Sequence, residues 1–186
     1  MNDLKHGLKL TLIFMIILGI IYPLTMTGIS SLIFPEKSKG SLVYNNGALI
    51  GSTLIGQKFT DSKWFQGRPS AVDYNASSSG GSNLSMSNPE FKKEIDKNIQ
   101  DFLSKNPTVK KEDIPADIIT ASASGLDPDI TVASARLQAG RVAKANGLSL
   151  EEVNKIIDNN IKGKFLGIFG EDTVNVLTLN MKLLNK

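Results

Sequence analysis

The chain has 186 residues, with 21 Lys and Arg against 18 Asp and Glu for a net charge of +3, no cysteine and a single histidine. Charges of both signs alternate instead of forming blocks, which excludes the basic footprint of a nucleic-acid binder. The lack of cysteine excludes disulfides, thiolate metal sites and cysteine nucleophiles, and with His6 as the one histidine no histidine-based catalytic site can be built in the body of the chain.

Residues 1–9 form a short basic tail with Lys5, His6 and Lys9. Leu10 to Phe34 (LTLIFMIILGIIYPLTMTGISSLIF) follows, 25 residues without one charged side chain. A bilayer core of about 30 Å is crossed by about 20 apolar helical residues. Lipid also leaves backbone groups no partner but each other, so residues 10–34 are expected to form a transmembrane helix. Thr11, Thr25, Thr27, Ser30 and Ser31 can bond back to the carbonyl one turn earlier, and Pro23 removes one rung and predicts a kink. A cleaved signal peptide, cut near Thr25-Met26-Thr27, is the competing reading. The apolar run through Ile29, Leu32, Ile33 and Phe34 goes past where a signal core should end, which favours the anchor. Lys5 and Lys9 before the span balance Lys37 and Lys39 after it, so the positive-inside count is tied. Long domains translocate largely regardless of charge, and the orientation leans toward a cytoplasmic amino terminus with an extracytoplasmic domain.

Residues 35–41 read as a polar hinge. Residues 42–186 are enough chain for one core of their own. The fold class expected is α+β: one N-terminal transmembrane helix followed by a single mixed α/β extramembranous domain. Leu42-Val43-Tyr44, Asn45-Asn46-Gly47 and Ala48 to Ile55 read as a β-hairpin, Asn-Gly supplying the two positive φ angles of a tight primed turn. Gly51 and Gly56 suggest a bulge or a close backbone approach. Phe59, Trp64 and Phe65 read as a small aromatic cluster packed on that hairpin. Arg68 to Asn88 is a long polar loop, and loops of that length in compact domains are usually functional or disordered. Within it Ser79-Gly80-Gly81-Ser82 can present backbone N–H groups to an anion or serve as a plain flexible connection. Asn75-Ala76-Ser77 matches a glycosylation acceptor, a pattern common by chance.

Asn88 is expected to cap a helix that starts at Pro89, keeps Phe91, Ile95, Ile99 and Phe102 on one face, and ends before Pro107. Ile118-Ile119 reads as a short strand. Asp127 and Asp129 flank a proline and read as a turn and helix cap in preference to a cation site, which would need six to eight oxygens. A second helix runs from Thr131 to a left-handed cap at Gly147. On it Gln138 and Arg141 share a face, either as a solvated pair or as a grip for a carbonyl, carboxylate or phosphate. Ser149 with Glu152 is a capping box for a third helix reaching about Ile161. Gly163, Gly167 and Gly170 break the chain around Phe165, Leu166, Ile168 and Phe169, and Thr173 to Leu184 reads as a closing strand.

No GxxxxGK[ST] phosphate loop and no Asp-Lys-Thr-Gly phosphorylation signature occurs. A single span cannot enclose an ion path. By elimination these features describe an accessory membrane subunit with no catalytic residues and no metal site of its own.

Several segments are specific enough to carry a resemblance. They are Gly51 to Phe59 (GSTLIGQKF), Arg68-Pro69-Ser70-Ala71, Tyr74-Asn75-Ala76, Ser79 to Leu84 (SGGSNL), Thr120-Ala121-Ser122, Ser124 to Pro128 (SGLDP), Gln138 with Arg141-Val142-Ala143, and Val174 to Leu177 (VNVL). In this order they resemble the C subunit of the bacterial Kdp-type potassium-transporting ATPase. Departures are Ser85-Met86-Ser87 for Gly-Pro-Thr, Ala123 for glycine, Asp129 for histidine and Val132 for proline, which gives position 129 no conserved chemical role. The resemblance implies a small subunit of an ATP-driven, high-affinity potassium uptake complex in the bacterial plasma membrane. Its partners would be a potassium-channel-like subunit, a P-type ATPase subunit and a small single-span subunit. It further implies the role of a catalytic chaperone that raises the ATPase subunit's affinity for ATP. The chain would have no cofactor of its own, and ATP would be contacted together with the ATPase subunit through Gln138, Arg141, Ser79, Gly80, Gly81 and Ser82. An extracytoplasmic domain cannot meet cytoplasmic ATP. The alternative is a structural cap or brace over the potassium entrance, and a secreted binding protein is a remoter one.

Overall fold

A computed structural model describes residues 2–184. It is α+β, one apolar N-terminal helix followed by a mixed helix and sheet domain. Contacts divide the chain into two units, Met1–Ile50 and Gly51–Lys186.

In the first unit, helix α1 (Asn2–Ile16), a π-helical turn (Ile17–Ile21) and helix α2 (Tyr22–Ile33) run on as one helix of 32 residues. At 1.5 Å per residue this is about 48 Å, and it is long and apolar enough to cross a bilayer. The helix starts inside the basic tail. The disturbance expected at Pro23 takes the form of the π-turn just ahead of it, where the Tyr22 N–H donates to Ile17 O, five residues back. A proline ring collides with the carbonyl four residues before it and offers no N–H; widening the preceding turn by one residue makes room without ending the helix. The hydroxyls of Thr11, Thr25, Thr27 and Ser31 behave as the sequence suggested. Thr11 donates to Gly7 O at 2.9 Å, and Thr25, Thr27 and Ser31 donate to Ile21 O, Pro23 O and Thr27 O, each at 2.8 Å.

The expected hinge holds one short helix, α3 (Pro35–Ser38). Strands β1 (Leu42–Asn45) and β2 (Ala48–Ser52) then pair across Asn46 and Gly47, whose φ angles of 49° and 80° are those the Asn-Gly turn predicts.

The second unit has helices α4 (Pro89–Lys105), α5 (Val132–Asn146), α6 (Leu150–Asp158) and α7 (Val176–Leu184). They accompany an antiparallel sheet of β3 (Asp129–Thr131), β4 (Ile161–Lys162) and β5 (Thr173–Asn175) in the order β3-β5-β4. Val174 on the central strand pairs with both Ile130 and Ile161. Caps fall where local chemistry puts them: the Asn88 side chain accepts from Glu90 N, Thr131 from Ser134 N, and Gly147 closes α5 at φ 67°. Ser149 and Glu152 form a complete capping box. Ser149→Ala removes its hydroxyl half, and a loss of about 1 kcal/mol is expected in denaturant unfolding of the full chain in detergent. The core gathers Phe65, Phe102, Ile130, Val142, Val153, Ile157, Val174 and Leu179.

Four expectations are corrected. The closing strand over 173–184 ends at Asn175, and α7 follows. Val176, Leu177, Leu179, Asn180 and Leu183 are buried at helical spacing, and the Asn175 carboxamide accepts from Thr178 N at 3.0 Å, starting the helix. Burial of that face overrides the β-branched composition. Ile118-Ile119 is no strand: residues Ala116–Ile118 form a 3-10 turn and Ile118 points into the core. Asp127 and Asp129 cap no helix, because Thr131 caps α5. Asp127 makes the turn by accepting from Asp129 N and pairs with Arg68, while Asp129 accepts from Asn175 and faces Lys162. The aromatic residues do not stand apart as a cluster. Phe65 is wholly buried in the core, with Phe59 and Trp64 packed against it.

Candidate functional site

The segment Ser62–Gln66 has no strand or helix of its own, so its backbone groups need partners from elsewhere. Side-chain amides supply them. On α7 the Asn180 carboxamide accepts from Phe65 N at 2.8 Å and donates to Phe65 O at 3.0 Å. On α5 Gln138 does the same to the next residue, accepting from Gln66 N at 2.8 Å and donating to Gln66 O at 3.1 Å. A carboxamide carries one acceptor and one donor side by side, as a peptide does, so the two clamps replace the neighbouring strand this segment lacks. Asn146 adds a bond to Lys63 O at 2.8 Å.

Arg141 completes the grip. Its Nη1 donates to Trp64 O at 2.9 Å and to Ser62 O, Nη2 to Gln138 Oε1 at 2.8 Å, and Nε to Asn106 Oδ1 at 3.0 Å. All four acceptors are neutral. Burial lowers the Arg141 pKa from the usual guanidinium value, and among the described residues no carboxylate pairs with the guanidinium to offset it. A guanidinium that donates in several fixed directions is suited to collecting backbone carbonyls this way.

A second set of bonds sews the polar loop after Arg68 to residues 120–127. Arg68 Nη1 pairs with Asp127 Oδ2 at 3.0 Å and Nη2 reaches Thr120 Oγ1 at 3.4 Å. The Ser70 hydroxyl donates to Gly125 O at 2.6 Å and accepts from Tyr74 N at 2.9 Å. Gly80 N and Ser79 Oγ both donate to Ser124 O at 2.9 Å. Gly125 sits at φ 68°, and a Cβ there would lie 2.6 Å from Gly80 O, so only glycine lets the two loops touch.

Tyr74 donates its hydroxyl proton to Arg68 O at 2.5 Å. Burial, helped by Asp73, raises its pKa above the ordinary 10.0. The protonated phenol is therefore favoured in the folded chain: its contribution is fully present below pH 10 and is lost as pH rises through the raised value. Tyr74→Phe should cost about 1 kcal/mol at neutral pH and remove this part of the alkaline fall in stability, measured by denaturant unfolding across the alkaline range.

The residues singled out from sequence fall into two places. Gln138 and Arg141 hold Ser62–Gln66, and Gln138 is 0% exposed. It is no solvated pair member. Ser79 and Gly80 face Ser124, Gly81 lies against Ala123 (a Cβ on it would stand 3.1 Å from Ala123 O), and Ser82 is half-buried. Among the described residues no three His, Cys, Asp or Glu side chains come together as a metal site. Sequence reasoning passed over Asn180, Asn106 and the Arg68–Asp127 pair. An amide set among the apolar positions of 176–183 was the one available signal for Asn180.

The class that emerges is a domain on one apolar helix whose buried polar side chains hold its irregular segments in a single shape. A family model described as "KdpC: K+-transporting ATPase, c chain" matches residues 4–185, and the chain belongs to that family. It is similar to the "Potassium-transporting ATPase KdpC subunit" of Caldanaerobacter subterraneus subsp. tengcongensis, 58% identical over 185 residues that cover 100% of this chain and 96% of the relative. Proteins of the same description from Clostridioides difficile and Clostridium kluyveri are 43% and 46% identical, each across 98% of this chain and 97% and 93% of their own length. Membership in this family makes it a subunit of a complex with other Kdp subunits.

Proposed function

We propose that this chain is an accessory, non-hydrolytic subunit of a potassium-transporting P-type ATPase complex in the cell membrane. One helix anchors it, and it works beside a potassium-channel-like subunit, a small single-span subunit and an ATPase subunit that hydrolyses ATP. What supports the absence of its own catalysis is the sequence: no phosphate loop, no phosphorylation signature, no cysteine, and one histidine at position 6.

For the finer mechanism the geometry favours a brace over a nucleotide contact. The observation that carries this is the Gln138 amide, which is fully buried with both polar atoms bonded inside the domain. A base or ribose could reach it only after Gln66 had left. In this reading Gln138 and Arg141 act by keeping Ser62–Gln66 in place. The domain lies outside the cytoplasm, as a cap or brace over the potassium entrance. The second reading is the catalytic chaperone that raises ATP affinity, with Gln138, Arg141 and Ser79–Ser82 at the nucleotide. Its specific support is the family resemblance of the QxxR and SGGS segments.

Because the chain has no cysteine, a Ser78→Cys variant at an exposed loop position tests the two directly. In intact cells, labelling of the assembled complex by a membrane-impermeant thiol reagent is expected. Protection that disappears on lysis would put the domain in the cytoplasm and sink the brace in favour of the chaperone.

A further inference from the structure

Between β4 and β5 the chain makes an apolar tip. Phe165, Leu166, Ile168 and Phe169 are 71, 74, 76 and 61% exposed. Soluble domains scatter exposed apolar side chains singly; four large ones within five residues mark a contact surface.

The tip closes part of its backbone on itself. Phe165 N donates to Phe169 O at 2.8 Å, Phe169 N to Phe165 O at 3.0 Å, Gly167 N to Lys164 O at 3.1 Å and Ile168 N to Phe165 O at 3.2 Å. Turns in water make such bonds too, but every one made inside the tip lowers the cost of leaving water. Unpartnered N–H and C=O groups are costly in hydrocarbon, so the groups left open keep the tip at the bilayer surface, where water and headgroups reach them. Leu166 holds φ at 54°, a left-handed conformation that costs a leucine more than a glycine. Keeping leucine at 166 puts an apolar side chain at the very turn.

We propose that this tip enters the surface of the lipid bilayer that anchors the chain. All four apolar side chains of the turn are mostly exposed, so the domain itself covers none of them. A shallow protein surface would cover one side, whereas lipid covers all. The helix Asn2–Ile33 keeps the domain near a membrane, which raises the effective concentration of lipid around it. At the base of the tip Lys164 can reach headgroup phosphates with its stem along the apolar region, while Lys162 faces Asp129. Glu171 and Asp172 offset the charge of Lys164, so entry is driven by the apolar side chains and depends little on anionic lipid.

The test is the full-length Leu166→Cys chain, labelled with an environment-sensitive fluorophore and incorporated in phosphatidylcholine nanodiscs, with the Ser78→Cys chain as a water-exposed reference. Expected results are blue-shifted emission at 166, quenching by spin labels on the lipid chains, and loss of iodide quenching relative to 78, all persisting at high salt. A probe at 166 that behaves like the one at 78 overturns the proposal. In the assembled complex, a probe shielded from both iodide and lipid quenchers assigns the tip to a protein socket and overturns it as well. A second label at Ile168 guards against a local effect of the substitution at 166. A chain that fails to enter the discs overturns the anchor and this proposal together, whereas a chain that enters with a water-exposed tip overturns this proposal alone.

Discussion

Replacing Gln138 with alanine is expected to lower the unfolding free energy of the full chain by about 2–4 kcal/mol, read by denaturant titration in detergent. The substitution leaves Gln66 N–H and C=O without their partner and deprives Arg141 of one of its four acceptors. It also opens a hole at a fully buried position. The same variant separates the two readings of function. If Gln138 braces the domain, loss of pump activity tracks loss of fold and recedes at lower temperature. Unchanged stability with a selective fall in the complex's ATP affinity would show that the side chain meets nucleotide instead.

Asn180→Leu is expected to cost about 3 kcal/mol, although leucine is apolar and similar in volume. Its effect isolates the clamp: Phe65 N–H and C=O remain in the core with nothing to bond. Asn180→Asp supplies the pH signature. A carboxylate there could still accept from Phe65 N but would lose the donor to Phe65 O and place a charge among apolar neighbours, so its pKa is raised on folding. Stability should be regained as pH falls through that raised value and the carboxyl becomes protonated. A pH-independent loss equal to that of Asn180→Leu would count against the clamp.

Neither position announced its role in the sequence. Gln138 was visible as part of a shared helix face with Arg141, and from spacing alone that face had either to be solvated or to grip a ligand. The third outcome, a grip on the chain's own backbone, depends on a partner 72 positions earlier. Asn180 lies 115 positions from Phe65, inside a run whose composition reads as a strand. The polar loop after Arg68 was recognised by its length and lack of apolar periodicity. Its attachment to Ser124 and Gly125 was not, because serine and glycine signal loops without naming what the loop touches.

The apolar N-terminal helix, the Asn-Gly hairpin, the Asn88 and Ser149 caps, the start of α5 at Thr131 and the Gly147 stop were all legible, since each arises from residues within one or two turns of one another. Long-range packing settled the rest: that 176–184 is a helix, that Ile118 lies in a 3-10 turn, and that Gln138, Arg141 and Asn180 serve the segment Ser62–Gln66. Proline aside, backbone propensity is a preference of at most about a kilocalorie per residue. A buried face or an unpaired buried peptide weighs more, and its partner is chosen by the fold.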